Sequence, residues 1–597
     1  EVASAKLFGF NSVSILLPSA LAGALSVLLL YHLVRRHFGV VAGLLAALAL
    51  AVSPISVVTN RNITIDSALT LTILVGAWAV MHAAETGKLR WLLLTAVIIG
   101  IGFNIKMLQA YLVVPAYGLL YLLAAPKSIW KRIGHLAVAG ALLLVISLSW
   151  VVAVDLTPAS QRPYVGSTQN NSEISLAFGY NGIQRLLGRF GGGSGGNTPT
   201  NVTPPSGNTG GTGIPPTFGN GGPPNPGSNG AGQQPRSGGT GGVGGLFDIG
   251  TAGPWRLFIQ PLAGQIVWLL PLAILGAIAL AWQRRPRFQS DRKQQSLVLW
   301  GTWLLTMGIF FSVAGFFHQY YMTVMAPAIA ALFGIGLVTM WQDYRRGGWR
   351  GWLLPIALVV TIAEQIYILT SYPTWGQVLI PILVVVGIIT VGALVSARIA
   401  ALLKVKALNI RLLLVAISLG ALTLMITSTV WAAIPVLTST SADTLVAGPT
   451  QTDSFGSSSF GGGRDANANS DSALIRYLEA HQGTAKYLVA VTSSNEADSI
   501  ILATNKPVMT LGGFSGSDPI LTTSQLAALV KSGTVRFFLI NGSGGGGPGG
   551  SSQSALTTWI TQHCKLVSSS QYQSTSTNSS SGGFGGTAQL YEYASAS

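Results

Sequence analysis

The chain has 597 residues, 49% of them hydrophobic and only 9% charged, with a formal net charge of +16. A soluble globular domain carries about 25% charged residues, so water is not the main solvent for this chain. A single cysteine, Cys564, excludes an intramolecular disulfide framework and any cysteine metal cluster.

The basic surplus does not point to nucleic acid. Through residue 411 most Lys and Arg fall in short clusters between apolar runs, and Asp and Glu are scarce. That is the charge pattern of loops on the cytoplasmic side of a membrane, not of a basic binding face. Residue 1 is Glu, and no basic segment precedes the first apolar run. The N-terminus is therefore expected to be truncated or processed, with no signal peptide visible.

A helix needs about 20 apolar residues to cross about 30 Å of hydrocarbon. In chain order the candidate spans are 12–34, 40–58, 65–84, 91–105, 108–125, 134–154, 258–282, 296–316, 321–341, 351–371, 376–397 and 411–436. Alternate loops carry Arg35-Arg36, Lys88/Arg90, Lys127/Lys131/Arg132, Arg284/Arg285/Arg287/Arg292/Lys293, Arg345/Arg346/Arg350 and Arg398/Lys404/Lys406. The opposite short loops contain only Arg61 and Lys106 as cations. One orientation satisfies every loop, with the cationic loops cytoplasmic. The long loop 155–257 then lies outside. It begins with Arg162-Pro-Tyr164 and Gly179-Tyr-Asn-Gly182 and passes into a Gly/Pro/Asn/Ser tract at 191–245. The tract has too little apolar surface to offset its chain entropy and reads as a flexible insert.

After residue 437 the pattern changes. Helices are expected at Ser472–His481, Asp498–Ala503 and Thr523–Ser532, the last with Thr523 as N-cap, and strands at Tyr487–Val491, Pro507–Leu511 and Val535–Ile540. This alternation predicts a small α/β domain over 437–597, interrupted by Gly/Ser tracts near 455–463, 542–553 and 579–586. The fold class is thus a polytopic α-helical membrane protein, with a membrane domain over 1–436 and about twelve spans. A small extracytoplasmic α/β domain follows.

Three outer clusters can carry chemistry. In Asn60-Arg-Asn-Ile-Thr-Ile-Asp66, the acid opens a span. An acid at a membrane boundary is costly unless paired, solvated or used; it can serve a site, or act as a first-turn acid paired to Arg61. Phe103-Asn-Ile-Lys106 puts an ammonium in a tight turn at headgroup level, suited either to a lipid-linked phosphate or to snorkelling. In Phe317-His-Gln-Tyr-Tyr321, His318 can ligate a metal or contact a sugar, while Tyr320 and Tyr321 equally fit an interfacial aromatic belt. Glu364, beside Gln365, is an acid inside a span. In the C-terminal domain, Leu511-Gly-Gly-Phe-Ser-Gly-Ser-Asp518 is a polar loop after a strand, read as an ordinary turn or a glycan contact. A polytopic transporter is the main rival reading, but no internal repeat supports it. A non-catalytic glycan-binding membrane protein is a third.

The runs Lys6-Leu-Phe-Gly-Phe-Asn11, Leu17-Pro-Ser-Ala-Leu-Ala-Gly23, Asn60-Arg-Asn…Asp66, Gly102-Phe-Asn-Ile-Lys106, Arg162-Pro-Tyr-Val-Gly166, Gly179-Tyr-Asn-Gly182 and His318-Gln-Tyr-Tyr321 together resemble bacterial family 39 glycosyltransferases of the GT-C superfamily. These are relatives of protein O-mannosyltransferases and of the lipid A aminoarabinose transferase. Ala473–Leu539 is similar to the extracytoplasmic C-terminal domain of the YkcB-like mannosyltransferases. The resemblance implies transfer of a sugar, mannose-like, from a polyprenyl-phosphate donor to a glycan or protein acceptor at the outer face of the plasma membrane. It implies a carboxylate base, cations or a divalent metal at the departing phosphate, membrane lipids as surroundings and no nucleic acid partner. By this resemblance Asp66 is a catalytic candidate, Lys106 and Arg61 are donor-phosphate ligands, and His318, Tyr320 and Tyr321 lie near substrate, with His318 a possible metal ligand. The family's principal first-loop acid is expected to precede Glu1. The family often has Pro-Asp where this chain has Ile65-Asp66, and His-Pro-Tyr-Tyr where it has Gln319.

Overall fold

The computed structural model describes residues 1–9, 12–158, 161–162, 164–168, 170–184, 249–283, 287–403, 409–437, 445–449, 468–513, 516, 518–541, 550–572 and 588–593. The insert at 191–245, the tracts at 455–463 and 579–586, and Arg284, Arg285, Lys404 and Lys406 lie outside the described residues.

Among the described residues, ten helices are long and apolar enough to cross a membrane, or eleven if one bent pair counts as a span. That pair, Val40–Ala51 and Pro54–Asn60, meets at 63° where Pro54 starts a new helix rather than continuing the old one. The run Leu89–Ala124 holds 36 residues and would extend about 54 Å if straight. Instead the backbone turns after Lys106, where Met107 takes φ 30°. Gly87 then lies against Lys127, whose side-chain carbons are 3.1 Å from where a Gly87 Cβ would stand. The run is therefore a hairpin with Lys106 at its tip, and its two legs correspond to the expected spans 91–105 and 108–125.

Small residues set the closest helix contacts. Helix Ala326–Arg346 is buried along nearly its whole length, between Val40–Ala51 and Leu270–Gln283. A Cβ on Gly276 would sit 2.4 Å from the Gly336 Cα, and one on Gly334 would sit 2.4 Å from the Ala42 carbonyl oxygen. Lipid tails are as apolar as the side chains, so close backbone approach and packing supply the attraction. Polar side chains add to it. Gln365 donates to the carbonyls of Trp268 and Leu424 and accepts from Thr427, joining three helices in the buried interior.

The C-terminal domain is built on a five-stranded sheet. The strands are β1 (Ala490–Val491), β2 (Met509–Thr510), β3 (Phe537–Asn541), β4 (Lys565–Leu566) and β5 (Ala588–Glu592), in the spatial order β2-β1-β3-β5-β4. β1 is parallel to β2 and β3, while β5 is antiparallel to β3 and β4. In β3, Phe537 and Leu539 face one core with Leu474 and Leu478, whereas Phe538 and Ile540 face a second with Leu526, Val530, Leu556 and Ile560. Side chains alternate with period two, so one strand feeds both layers. The expected helices are present as Ala468–His481, Ser494–Thr504 and Thr523–Lys531. The N-cap of the last is Thr522, not Thr523: its hydroxyl accepts from the Gln525 N–H while the Gln525 side chain returns to the Thr522 N–H. Helix Gly550–His563 and strands β4 and β5 go beyond the expectation. The helix begins inside the Gly/Ser tract at 542–553, because Leu556 and Ile560 have a core to fill.

Candidate functional site

The first residue of helix Asp66–Thr86 is Asp66 itself, 1% exposed. One turn of acid at a helix start is favoured by the helix dipole, yet burial of a carboxylate demands a stronger partner. That partner is Lys106, whose Nζ lies 2.5 Å from Asp66 Oδ2. The alternative pairing of Asp66 with Arg61 is not formed. Arg61 points elsewhere and donates to the Pro435 carbonyl at 2.9 Å, so the structure does not bring it into the cluster.

The hairpin tip carries Lys106 against the segment after His318. Its ammonium lies 3.7 Å from the Tyr321 ring centroid and 4.9 Å from that of Tyr320. His318 stacks on Tyr320 at 5.3 Å, with 20° between the planes, and meets Tyr321 edge-on at 5.4 Å. The Gln109 side chain donates to the Tyr321 carbonyl at 3.2 Å and ties the hairpin to this segment. Asp66, Lys106, His318, Tyr320 and Tyr321, up to 255 positions apart in the chain, thus form one cluster. It lies at the end of the bundle opposite the Lys88 and Lys127 loops. Aromatic faces and a carboxylate around one ammonium make a cation site with fixed orientation, able to present its N–H donors to an anion.

Residues 2–150 match the family described as "Dolichyl-phosphate-mannose-protein mannosyltransferase", and residues 474–563 match "Putative mannosyltransferase YkcB-like, C-terminal". The chain is 38% identical to "Putative mannosyltransferase YycA" of Bacillus subtilis (strain 168), over 99% of this chain and 89% of that protein. It is 39% identical to "Putative mannosyltransferase YkcB" of the same organism, over 96% of this chain and 84% of that one. The chain belongs to the YkcB-like mannosyltransferase family. It is a multi-pass membrane glycosyltransferase. Among solved structures it is similar to ArnT from Cupriavidus metallidurans bound to undecaprenyl phosphate, at 15% identity and a TM-score of 0.47, covering 99% of this chain and 86% of that one. It is also similar to the archaeal oligosaccharyltransferase AglB from Archaeoglobus fulgidus, in complex with an inhibitory peptide and a dolichol-phosphate. There the identity is 10% and the TM-score 0.36, over 90% of this chain and 60% of that one.

Two loops of this transferase that looked unrelated in the sequence meet. Asp518 Oδ2, from the C-terminal domain, accepts the Ser167 N–H at 3.1 Å, two residues beyond Val165 of the Arg162-Pro-Tyr-Val-Gly166 run. Gly513 has φ +66°, and a Cβ there would stand 2.6 Å from the Asp518 carboxylate, so the loop needs glycine. Burial pushes the Asp518 carboxyl above its ordinary range, with the Ser167 N–H pulling back. The membrane-domain loop is itself well tied: Arg162 donates to the Asn171 and Thr157 carbonyls, and Asp155 accepts from Ser172 and from the Glu173 and Ile174 N–H groups. Its continuation, Ser175–Gln184, packs Ala177 against Phe103, Met107, Leu108 and Tyr111 beside Lys106. Charge pattern could have flagged Asp518 and Arg162; nothing local could have paired Asp518 with Ser167.

Sequence reasoning missed Arg256. It is 2% exposed, caps the carbonyls of Phe311 and Ala314, and lies 5.0 Å from the Phe317 ring next to His318. A lone Arg between a long loop and a span was the available signal. Glu364 is half-buried with Oε1 unbonded among the described residues, and its neighbour Gln365 carries the interhelical hydrogen bonds. Among the described residues no three His, Cys, Asp or Glu side chains converge in a metal-binding group. Among the described residues, His318 packs against the rings of Phe316, Tyr320 and Tyr321, none of which is a metal ligand of the His, Cys, Asp or Glu type.

Proposed function

We propose that the Asp66–Lys106–His318 cluster binds the phosphate of a polyprenyl-phosphate-linked sugar, mannose-like, whose sugar passes to a glycan or protein acceptor outside the plasma membrane. The observation that carries this is the Lys106 ammonium, held by Asp66 on one side and by the Tyr320 and Tyr321 rings on another. When the glycosidic bond to the donor breaks, negative charge grows on the departing phosphate, and a fixed ammonium stabilises it most at that moment. Asp66 is paired and covered, so it fits the role of holding Lys106 in place better than that of a base. His318, stacked on Tyr320, is suited to contact the sugar. The cationic loops orient this end of the bundle outward. The contact between Asp518 and Ser167 supports the C-terminal domain lying on the same side.

The test uses membranes containing the chain together with any native segment that precedes Glu1, and a radiolabelled polyprenyl-phosphate mannose. Lys106→Ala is expected to lower transfer by about 100-fold, the loss seen when one charge-stabilising donor is removed. His318→Ala is expected to raise KM for the donor. Transfer at the parental rate in both variants would overturn the site; no transfer from any polyprenyl-linked sugar, with folded protein, would overturn the reaction.

A further inference from the structure

The end of the bundle opposite the cluster holds a cavity of about 600 Å³ lined by Gly87, Lys88, Arg90, Lys127, Lys131 and His135. It forms where two loops converge, the one before the Lys106 hairpin and the one after it. The convergence is built in. Gly87 ends its helix in the left-handed region at φ +63°, which leaves room for the Lys127 side chain beside it. The buried Arg132 holds the second loop by donating to the carbonyls of Lys127 and Leu122. His135 is fixed by a 2.6 Å hydrogen bond with the Tyr121 hydroxyl.

Among the described residues, none of Lys88, Arg90, Lys127 and Lys131 has a carboxylate partner. The acid three positions before Lys88, Glu85, is already engaged by Arg36 at 2.6 Å and His37 at 3.1 Å. Four like charges around one cavity repel one another and call for an anion. Exposed apolar side chains flank the second loop: Ile129, Trp130 and Ile133. An anion with an attached hydrocarbon chain satisfies both features.

We propose that this cavity binds the phosphate headgroup of an anionic phospholipid of the cytoplasmic leaflet. The phosphate sits among Lys88, Arg90, Lys127 and Lys131, and the acyl chains run along Ile129, Trp130 and Ile133. Such a lipid would tie together both ends of the hairpin whose tip is Lys106.

The test reconstitutes the full chain into nanodiscs of phosphatidylglycerol or of phosphatidylcholine and reads lipid retention by native mass spectrometry and the thermal unfolding midpoint. Wild type is expected to retain phosphatidylglycerol and to unfold at higher temperature in it. Lys127→Gln/Lys131→Gln should lower retention by about 30-fold and remove the difference in midpoint. Lys88→Gln/Arg90→Gln, from the other wall, should do the same, which guards against a local folding effect. Equal retention of the two lipids, or undiminished retention in both variants, would overturn the proposal. So would an equal rise in midpoint given by inorganic phosphate in phosphatidylcholine discs, since the occupant would then be the free ion.

Discussion

Lys106 shows how one side chain acquires a function from its surroundings. A lysine at a helix end can reach water by snorkelling along its own stem. Here its side chain is 14% exposed and spends its charge on Asp66 and two tyrosine rings. Removing one member of a buried pair leaves the other uncompensated at a cost of about 3–5 kcal/mol, whereas replacing both by apolar groups is often tolerated. Asp66→Asn is therefore expected to lower stability more than the double variant Asp66→Leu/Lys106→Met. Thermal unfolding of the parent and the two variants in one detergent measures it, and a double variant no more stable than Asp66→Asn would show that the pair is not coupled. The residues were legible in the sequence, because an acid and a lysine at membrane boundaries stand out against apolar runs. Their pairing was not. Arg61 is much nearer to Asp66 in sequence, but helix packing turned it to Pro435.

At the scale of elements, the spans follow from hydrophobic length, and the structure retains them with two local departures at Pro54 and at the Lys106 turn. Contacts between spans depend on missing side chains. Gly276 and Gly336 let two backbones touch. Gly276→Val is expected to force the helices Leu270–Gln283 and Ala326–Arg346 apart and to cost about 1–3 kcal/mol, the usual penalty of overpacking. Gly308→Ala, where a Cβ would meet nothing within 4 Å, is the control and should change little. An unchanged midpoint in Gly276→Val would show that close approach to Gly336 does not govern the site. Gly23 tells the same story for a motif: the Asn60 side chain fills the space where its Cβ would be, so Asn60 packs the spans together.

For the whole molecule, the joint between Asp518 and Ser167 connects the appended domain to the loop that packs beside Lys106. The Asp518 carboxyl titrates above its usual range because it is buried. The folded state therefore holds its proton more tightly than the unfolded chain does. Its contribution to stability is full below the unfolded pKa of about 3.9 and fades as pH rises through the raised folded value. Glu173, raised by burial and by Asp155, acts in the same direction. Hydrogen exchange of the Ser167 and Thr168 amides should accordingly show less protection, after correction for intrinsic rates, as pH climbs out of the acid range. Asp518→Asn, which keeps an acceptor oxygen, should flatten that dependence, and Asp518→Ala should lose protection at every pH. An unchanged profile in both would mean the joint does not hold the loop.

The membrane architecture, the orientation signal in the basic loops, the α/β character of the C-terminal domain and the residues from which a site could be made are all legible in the chain's local pattern. These rest on local quantities: the length of an apolar run, the sign of a loop, the period of a strand. That Lys106 rather than Arg61 neutralises Asp66, that His318 stacks on Tyr320 beside it, and that Asp518 reaches Ser167 across 351 positions follow from the folded packing alone. Those choices are made by which helices pack against which. Packing depends on shape complementarity among small residues, far apart in the chain, that no local pattern records.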